Sequence, residues 1–227
     1  MPGYVWLSYP LNECTPAYGG GQQLSIEHTK NILKGDGCNT ATWHLPNHLG
    51  THVDTPQHFF PCGHAVDSYP PAFWFFQQVQ MVTVDLQKKF LLIQPHQITP
   101  YLNGKPDLLL IKTGMGYYRN QQCYRHNNPG LSPELGTELR KRFPSLRAVG
   151  VDFISISSWQ NRDTGRKAHQ TFLDPSAFGH PLVLIEDMDL SPLTGDTPVE
   201  RIIILPLRVE NGDGAPCSIV AEVKTND

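Results

Sequence analysis

Residues 48–64 read HLGTHVDTPQHFFPCGH. His48, His52, Asp54, His58 and His64 crowd into this otherwise apolar segment, and imidazoles are the groups that bind metals and carry protons near neutral pH. His48, His52, Asp54 and His58 occupy even positions, while Leu49, Thr51, Val53 and Thr55 take the odd ones. Strand alternation aims such a set at one face. A straight strand would nevertheless hold His48 and His52 about 13 Å apart, too far to share an ion. The chain has to bend between them, and Gly50 is the hinge that tolerates unusual backbone angles. A single helical turn would also bring positions four apart within about 5–6 Å, but Pro56 stops a helix from continuing. The expectation is a strand ending near His48, a tight bend, and an irregular segment presenting His52 and Asp54.

Two imidazoles and a carboxylate suit zinc, manganese or iron better than calcium, which prefers oxygen donors. Three ligands from one segment leave coordination positions open, the mark of a catalytic rather than a structural site. A carboxylate also bridges ions, so Asp54 serves a one- or two-metal centre. Thr51 and Thr55 point to the other face and take structural roles. Cys62 has no companion base and is expected to pack.

Outward from this segment, apolar β-branched runs recur at 4–8, 80–86, 107–113, 147–152, 181–186, 201–207 and 217–223. Their lengths favour buried strands. Residues 132–143 (SPELGTELRKRF) form the clearest helix, with Ser132 as N-cap and Pro133 at the first helical position. A second helix starts at about 168 in AHQTFL, and ENGDGAP (210–216) turns between the last two strands. Strands outnumber helices, so the expected class is a mixed, β-rich α/β fold. The 227 residues suit one domain over 1–227.

A net charge of -3 and a pI near 6.3 give no basic excess, which argues against nucleic acid or an anionic membrane surface as partner. No apolar window reaches membrane-spanning length, and the opening MPGYVWLSYP lacks the pattern of a signal peptide. Cys14, Cys38, Cys62, Cys123 and Cys217 are odd in number and never spaced as CxxC. Free thiols in a reducing cytoplasm are the expectation.

HLGTHVDTPQHF resembles the H-x-G-T-H-x-D-x-P-x-H-F signature of the metal-dependent cyclase family, which includes bacterial kynurenine formamidase and isatin hydrolase. LLIKTG (109–114), VGVDFIS (149–155), AHQTFL (168–173), LVLIEDMDL (182–190) and LPLRVENGDGAP (205–216) are similar to family segments in the same order. The resemblance implies a swivelling β/β/α architecture assembled as homodimers or homotetramers, and a site for one or two divalent ions, zinc first and manganese second. It implies His48, His52 and Asp54 as first-metal ligands, His58 as the proton-transfer group, His169 as second-metal ligand, and Glu186 as the carboxylate that closes the site. His180 and Asp187 compete for the last two roles. The chain departs from the formamidases in two places. The DPSAFGH insertion lengthens the gap between His169 and Glu186, and TPAYGGGQQ replaces an aromatic-Pro-Gly stretch, with Tyr18 as the substrate-contacting residue.

The activity this implies is hydrolysis of an amide C–N bond, in an aryl formamide or a cyclic amide (lactam), by a metal-activated water. A serine hydrolase finds no G-x-S-x-G elbow. A metal-dependent lyase or cyclisation enzyme and a non-catalytic metal-binding homologue are the alternatives. His58 favours an enzyme over the latter, and turnover assays separate hydrolase from lyase.

Overall fold

The computed structural model describes residues 3–86, 92–195 and 197–224. Every apolar run named above becomes a strand. The main sheet holds β1 (Gly3–Trp6), β2 (His52–Asp54), β3 (Phe75–Phe76), β4 (Val79–Thr83), β5 (Leu108–Lys112), β6 (Ala148–Val151), β7 (Val183–Glu186), β8 (Val199–Pro206) and β9 (Gly214–Val223). Its order is β3-β8-β9-β2-β7-β6-β5-β4, with β1 added along β9. The run β4-β5-β6-β7 is parallel, and every other pairing is antiparallel. Only Gln77 and Gln78 separate the two edge strands β3 and β4, so the sheet curls until its ends nearly meet.

In the inner parallel strands, residues 108–111, 148–151 and 183–185 are apolar without interruption because both their faces are covered. Leu109, Ile111, Val149, Val151 and Leu184 pack outward against α1 (Pro133–Arg142) and α2 (Arg162–Leu173), meeting Leu135, Leu139, Ala168 and Phe172. Leu108, Leu110, Ala148, Val183 and Ile185 point into the barrel, against Ile202, Ile204, Ile219 and Ala221. Trp74 and Phe76 of the aromatic run 70–76 join that interior. The architecture is the expected mixed, β-rich α/β fold.

Ser132 caps α1 by accepting from the Leu135 amide. α2 begins six residues earlier than AHQTFL suggests. Its first turn contains Gly165, a poor helix former, yet a Cβ there would lie 2.2 Å from Ser157 Oγ. Close packing on Ser157 therefore selects the glycine.

Residues 48–58 fold differently from the expectation. The preceding strand, Thr40–His44, ends before His48, residues 45–51 are irregular, and His52–Asp54 is the regular strand. The reason is pairing: β7 on one side and β9 on the other supply ladder partners for residues 52–54. Gly50 is the hinge, with φ +68. Cys62 is exposed rather than packed, and all five cysteines are unpaired. Among the described residues no helix is long and apolar enough to cross a membrane.

Candidate metal centre

In the β2–β7 ladder, His52 faces Glu186 and Val53 faces Ile185. Val53 and Ile185 go to the barrel interior, so alternation sends His52, Asp54 and Glu186 to the opposite face. α2 packs over that face and adds His169. Asp54 Oδ1 lies 3.3 Å from His52 Nε2, and Oδ2 lies 3.5 Å from His169 Nε2. Glu186 Oε2 lies 3.5 Å from His52 Nε2, and Oε1 lies 3.3 Å from His169 Nε2. Two carboxylates and two imidazole nitrogens thus alternate around one small ring, all four residues being buried.

Hydrogen bonds behind the rings decide what those nitrogens offer. His52 Nδ1 is 2.8 Å from the Gly50 carbonyl, and His169 Nδ1 is 3.0 Å from the Gly165 carbonyl. A carbonyl only accepts, so each Nδ1 carries the hydrogen and each Nε2 turns its other valence toward the carboxylates. The Ile156 amide, at 2.7 Å, and Ser155 Oγ, at 3.2 Å, donate to Glu186 Oε1 and fix its orientation.

Such a ring demands positive charge at its centre. Burial opposes charge on His52, but the Asp54 carboxylate and then Glu186 outweigh it and raise its pKa to about 9. Burial likewise opposes charge on His169, yet hydrogen bonds to Asp54 and Glu186 push it up to about 10. Burial alone would raise Asp54; the His52 charge and bonds from His169 and His48 hold its carboxyl well below the usual range. Protons meet this demand, and so does a divalent cation. Imidazole with carboxylate is a donor set that zinc and manganese accept. The residues fit a metal.

A second tier lies beside the ring. His48 Nδ1 is 2.7 Å from Asp54 Oδ1, and its Nε2 is 3.0 Å from Asp213 Oδ2. His58 Nδ1 is 2.8 Å from the same Asp213 oxygen, and the His48 and His58 rings stand 4.1 Å apart. Ligand atoms of three sets come close enough to share an ion: His48, His52 and Asp54; Asp54, His169 and Glu186; and His48, His58 and Asp213. Tyr18 and Phe59 join the ring residues, His48 and His58 in lining a cavity of about 230 Å³.

The Cyclase family model matches residues 5–158, about two thirds of the chain. The chain belongs to the cyclase family. Among solved structures it is similar to isatin hydrolase A from Labrenzia aggregata bound to benzyl benzoate, with a TM-score of 0.80 and 19% identity over 99% of this chain and 94% of that one. Isatin hydrolase A from Ralstonia solanacearum gives 0.77 and 18%, over 98% and 92%. A structure described as a potential metal-dependent hydrolase with cyclase activity gives 0.73 and 20%, over 99% and 100%. At such identities the likeness is one of fold. A curated Haemophilus influenzae protein, described only as uncharacterized, is 26% identical over 113 residues, 48% of this chain and 79% of its own.

In this member of the family all of His48, His52, Asp54, His58, His169, Glu186 and Tyr18 line one cavity. The competitors lie elsewhere. His180 Nε2 donates to the Leu146 carbonyl. Asp187 is taken by Arg119, at 2.6 Å, and by the Tyr124 hydroxyl. The DPSAFGH insertion leaves the pair intact because it forms an exposed loop outside the ring. Arg140 ties that loop down by donating to the carbonyls of Thr171, Asp174 and Gly179. Three site residues escaped the sequence reading: Asp213, hidden in a turn motif, and Ser155 and Ser157 in a serine run with no nucleophile context. Ser157 Oγ sits 3.2 Å from His169 Nδ1.

Proposed function

We propose that the chain is a metal-dependent hydrolase that cleaves an amide C–N bond in an aryl formamide or a cyclic amide. His48, His52, Asp54, His169 and Glu186 would hold one or two divalent ions, zinc or manganese. The observation that carries this reading is the buried ring itself: two carboxylates and two Nε2 atoms aimed at one point, next to a histidine that is not needed as a ligand.

A divalent ion in that ring supplies a Lewis acid for the carbonyl oxygen and lowers the pKa of water, to roughly 7 on zinc. His58 does the proton work. Its Nδ1 donates to Asp213, which leaves Nε2 as the atom that takes a proton from water and delivers it to the leaving nitrogen. Amide and water become acid and amine, with no other reactant. Phe59 stacks on the His169 ring, centroids 5.1 Å apart, and shields it from bulk water. Tyr18 lines the cavity, and its hydroxyl is buried with no hydrogen-bond partner among the described residues. The reading extends to one catalytic domain over 1–227, a cytoplasmic location consistent with five free thiols, and a homodimer or homotetramer.

Elemental analysis followed by turnover tests it. Zinc- or manganese-loaded protein is expected to release formate and aniline from formanilide, or to open the lactam of isatin. Full metal occupancy with no product from either class overturns the hydrolase reading in favour of a lyase.

A further inference from the structure

Arg162, Arg166 and His169 stand at i, i+4 and i+7 on α2, a single stripe of the helix. His169 points at the carboxylate ring. The two arginines continue the stripe toward the helix N-terminus, about 4.5 and 10 Å along the axis from His169. They line an outer cavity of about 560 Å³ with Trp159 and Asp163, and this cavity shares Tyr18, Phe59 and Ser157 with the inner one. The two cavities adjoin through those three residues, with the carboxylate–imidazole ring in the inner one and the two arginines in the outer one.

The walls are aromatic. The Tyr18 and Trp159 rings meet edge to face at 5.2 Å, and Phe59 lies flat on His169. Gly19, at φ +61, makes the Tyr18–Trp159 contact feasible, because a Cβ there would fall 2.0 Å from the indole. One of the three consecutive glycines thus has a structural reason. The Arg162 guanidinium lies 4.8 Å over the Trp159 ring, and among the described residues neither Arg162 nor Arg166 makes an ion pair. Asp163 lines the same cavity without pairing to either, so the rim keeps a net positive charge.

We propose that the substrate is an aromatic amide carrying a carboxylate, its ring between Tyr18, Phe59 and Trp159 and its carboxylate on Arg162 and Arg166. Two planar guanidinium forks match a carboxylate, and an aromatic ring spans the gap between them and the inner cavity. The amide carbonyl has to reach the carboxylate–imidazole ring, where a metal would polarise it, so the amide end leads and the carboxylate stays at the rim. This substrate class rests on the hydrolase reading above; the anion subsite itself does not.

The test pairs formanilide with 3- and 4-formamidobenzoate, which differ from it only by the carboxylate. In the metal-loaded protein kcat/KM is expected to favour the better acid by about tenfold, and in Arg162→Gln/Arg166→Gln the ratio falls to about one. Calorimetric titration of the formamidobenzoates into metal-free protein removes the other place a carboxylate could bind. There the double variant is expected to weaken binding about tenfold, and added salt to weaken it in the unaltered protein. Equal kcat/KM for the neutral and charged substrates, or a preference that survives the double variant, overturns the proposal. Arginine-dependent binding to metal-free protein with no hydrolysis of any substrate instead removes the hydrolase reading and keeps the subsite. No binding and no hydrolysis removes both.

Discussion

His48 rests directly on Gly214: a Cβ on that glycine would lie 2.3 Å from His48 Cε1 and 2.8 Å from Nδ1. Gly214 faces Asp54 in the β2–β9 ladder, so the missing side chain is the space His48 uses to reach the Asp54 carboxylate. Gly214→Ala is therefore expected to displace His48 and weaken metal binding at least about tenfold, with an overpacking cost of about 1–3 kcal/mol. Chelator competition reads the first effect and thermal unfolding the second. Unchanged metal affinity would remove His48 from the ligand set.

Asp54 touches all three of His48, His52 and His169. Asp54→Asn keeps the shape and removes the charge, which leaves buried imidazoles without their counter-ion. Metal content is expected to drop to background, and stability of the metal-free protein to fall by about 3–5 kcal/mol. Denaturant unfolding with elemental analysis measures both. Retained metal at full stoichiometry would contradict the assigned ring.

The raised histidines make stability depend on pH. Both pKa values lie above the ordinary 6.5, so the charged forms stabilise the metal-free fold fully below that value. That contribution is lost as pH rises through about 9 for His52 and about 10 for His169. The metal-free protein is expected to lose Tm across this window. Added zinc or manganese replaces the protons, so the Tm gain on metal addition grows over the same range. A metal-free Tm that is flat or rising across it would show that the ring does not hold the protons.

His58 and Asp213 separate chemistry from metal binding. His58→Ala is expected to lower kcat by about 10²–10⁴-fold while metal content stays near normal. Loss of metal instead would recast His58 as a ligand alongside His48 and Asp213. Asp213→Asn keeps a hydrogen-bonding group at His58 Nδ1 but removes the carboxylate shared with His48, and a smaller loss of kcat is expected, roughly tenfold. Parallel kcat and metal-content measurements on the two variants decide the order.

The chain's local chemistry is readable without any structure. Runs of β-branched residues reveal β1 and β4 to β9, Ser132 and Pro133 mark the start of α1, and His48, His52, Asp54 and His58 disclose a metal-ready segment with its glycine hinge. Each of these depends on neighbours within a few residues, where spacing and propensity act directly. The ring itself was decided elsewhere. Pairing of β2 between β7 and β9 made residues 52–54 a strand, set His52 against Glu186, and left Gly214 as the gap for His48. The close approach of Gly165 to Ser157 seated α2, which runs from Arg162, with His169 over that face. A turn motif became the Asp213 clamp, and Arg119 and Tyr124 claimed Asp187 and so removed it as a rival to Glu186. Coordination depends on distances of a few ångströms between side chains remote along the chain, and strand register with helix packing are what fix those distances.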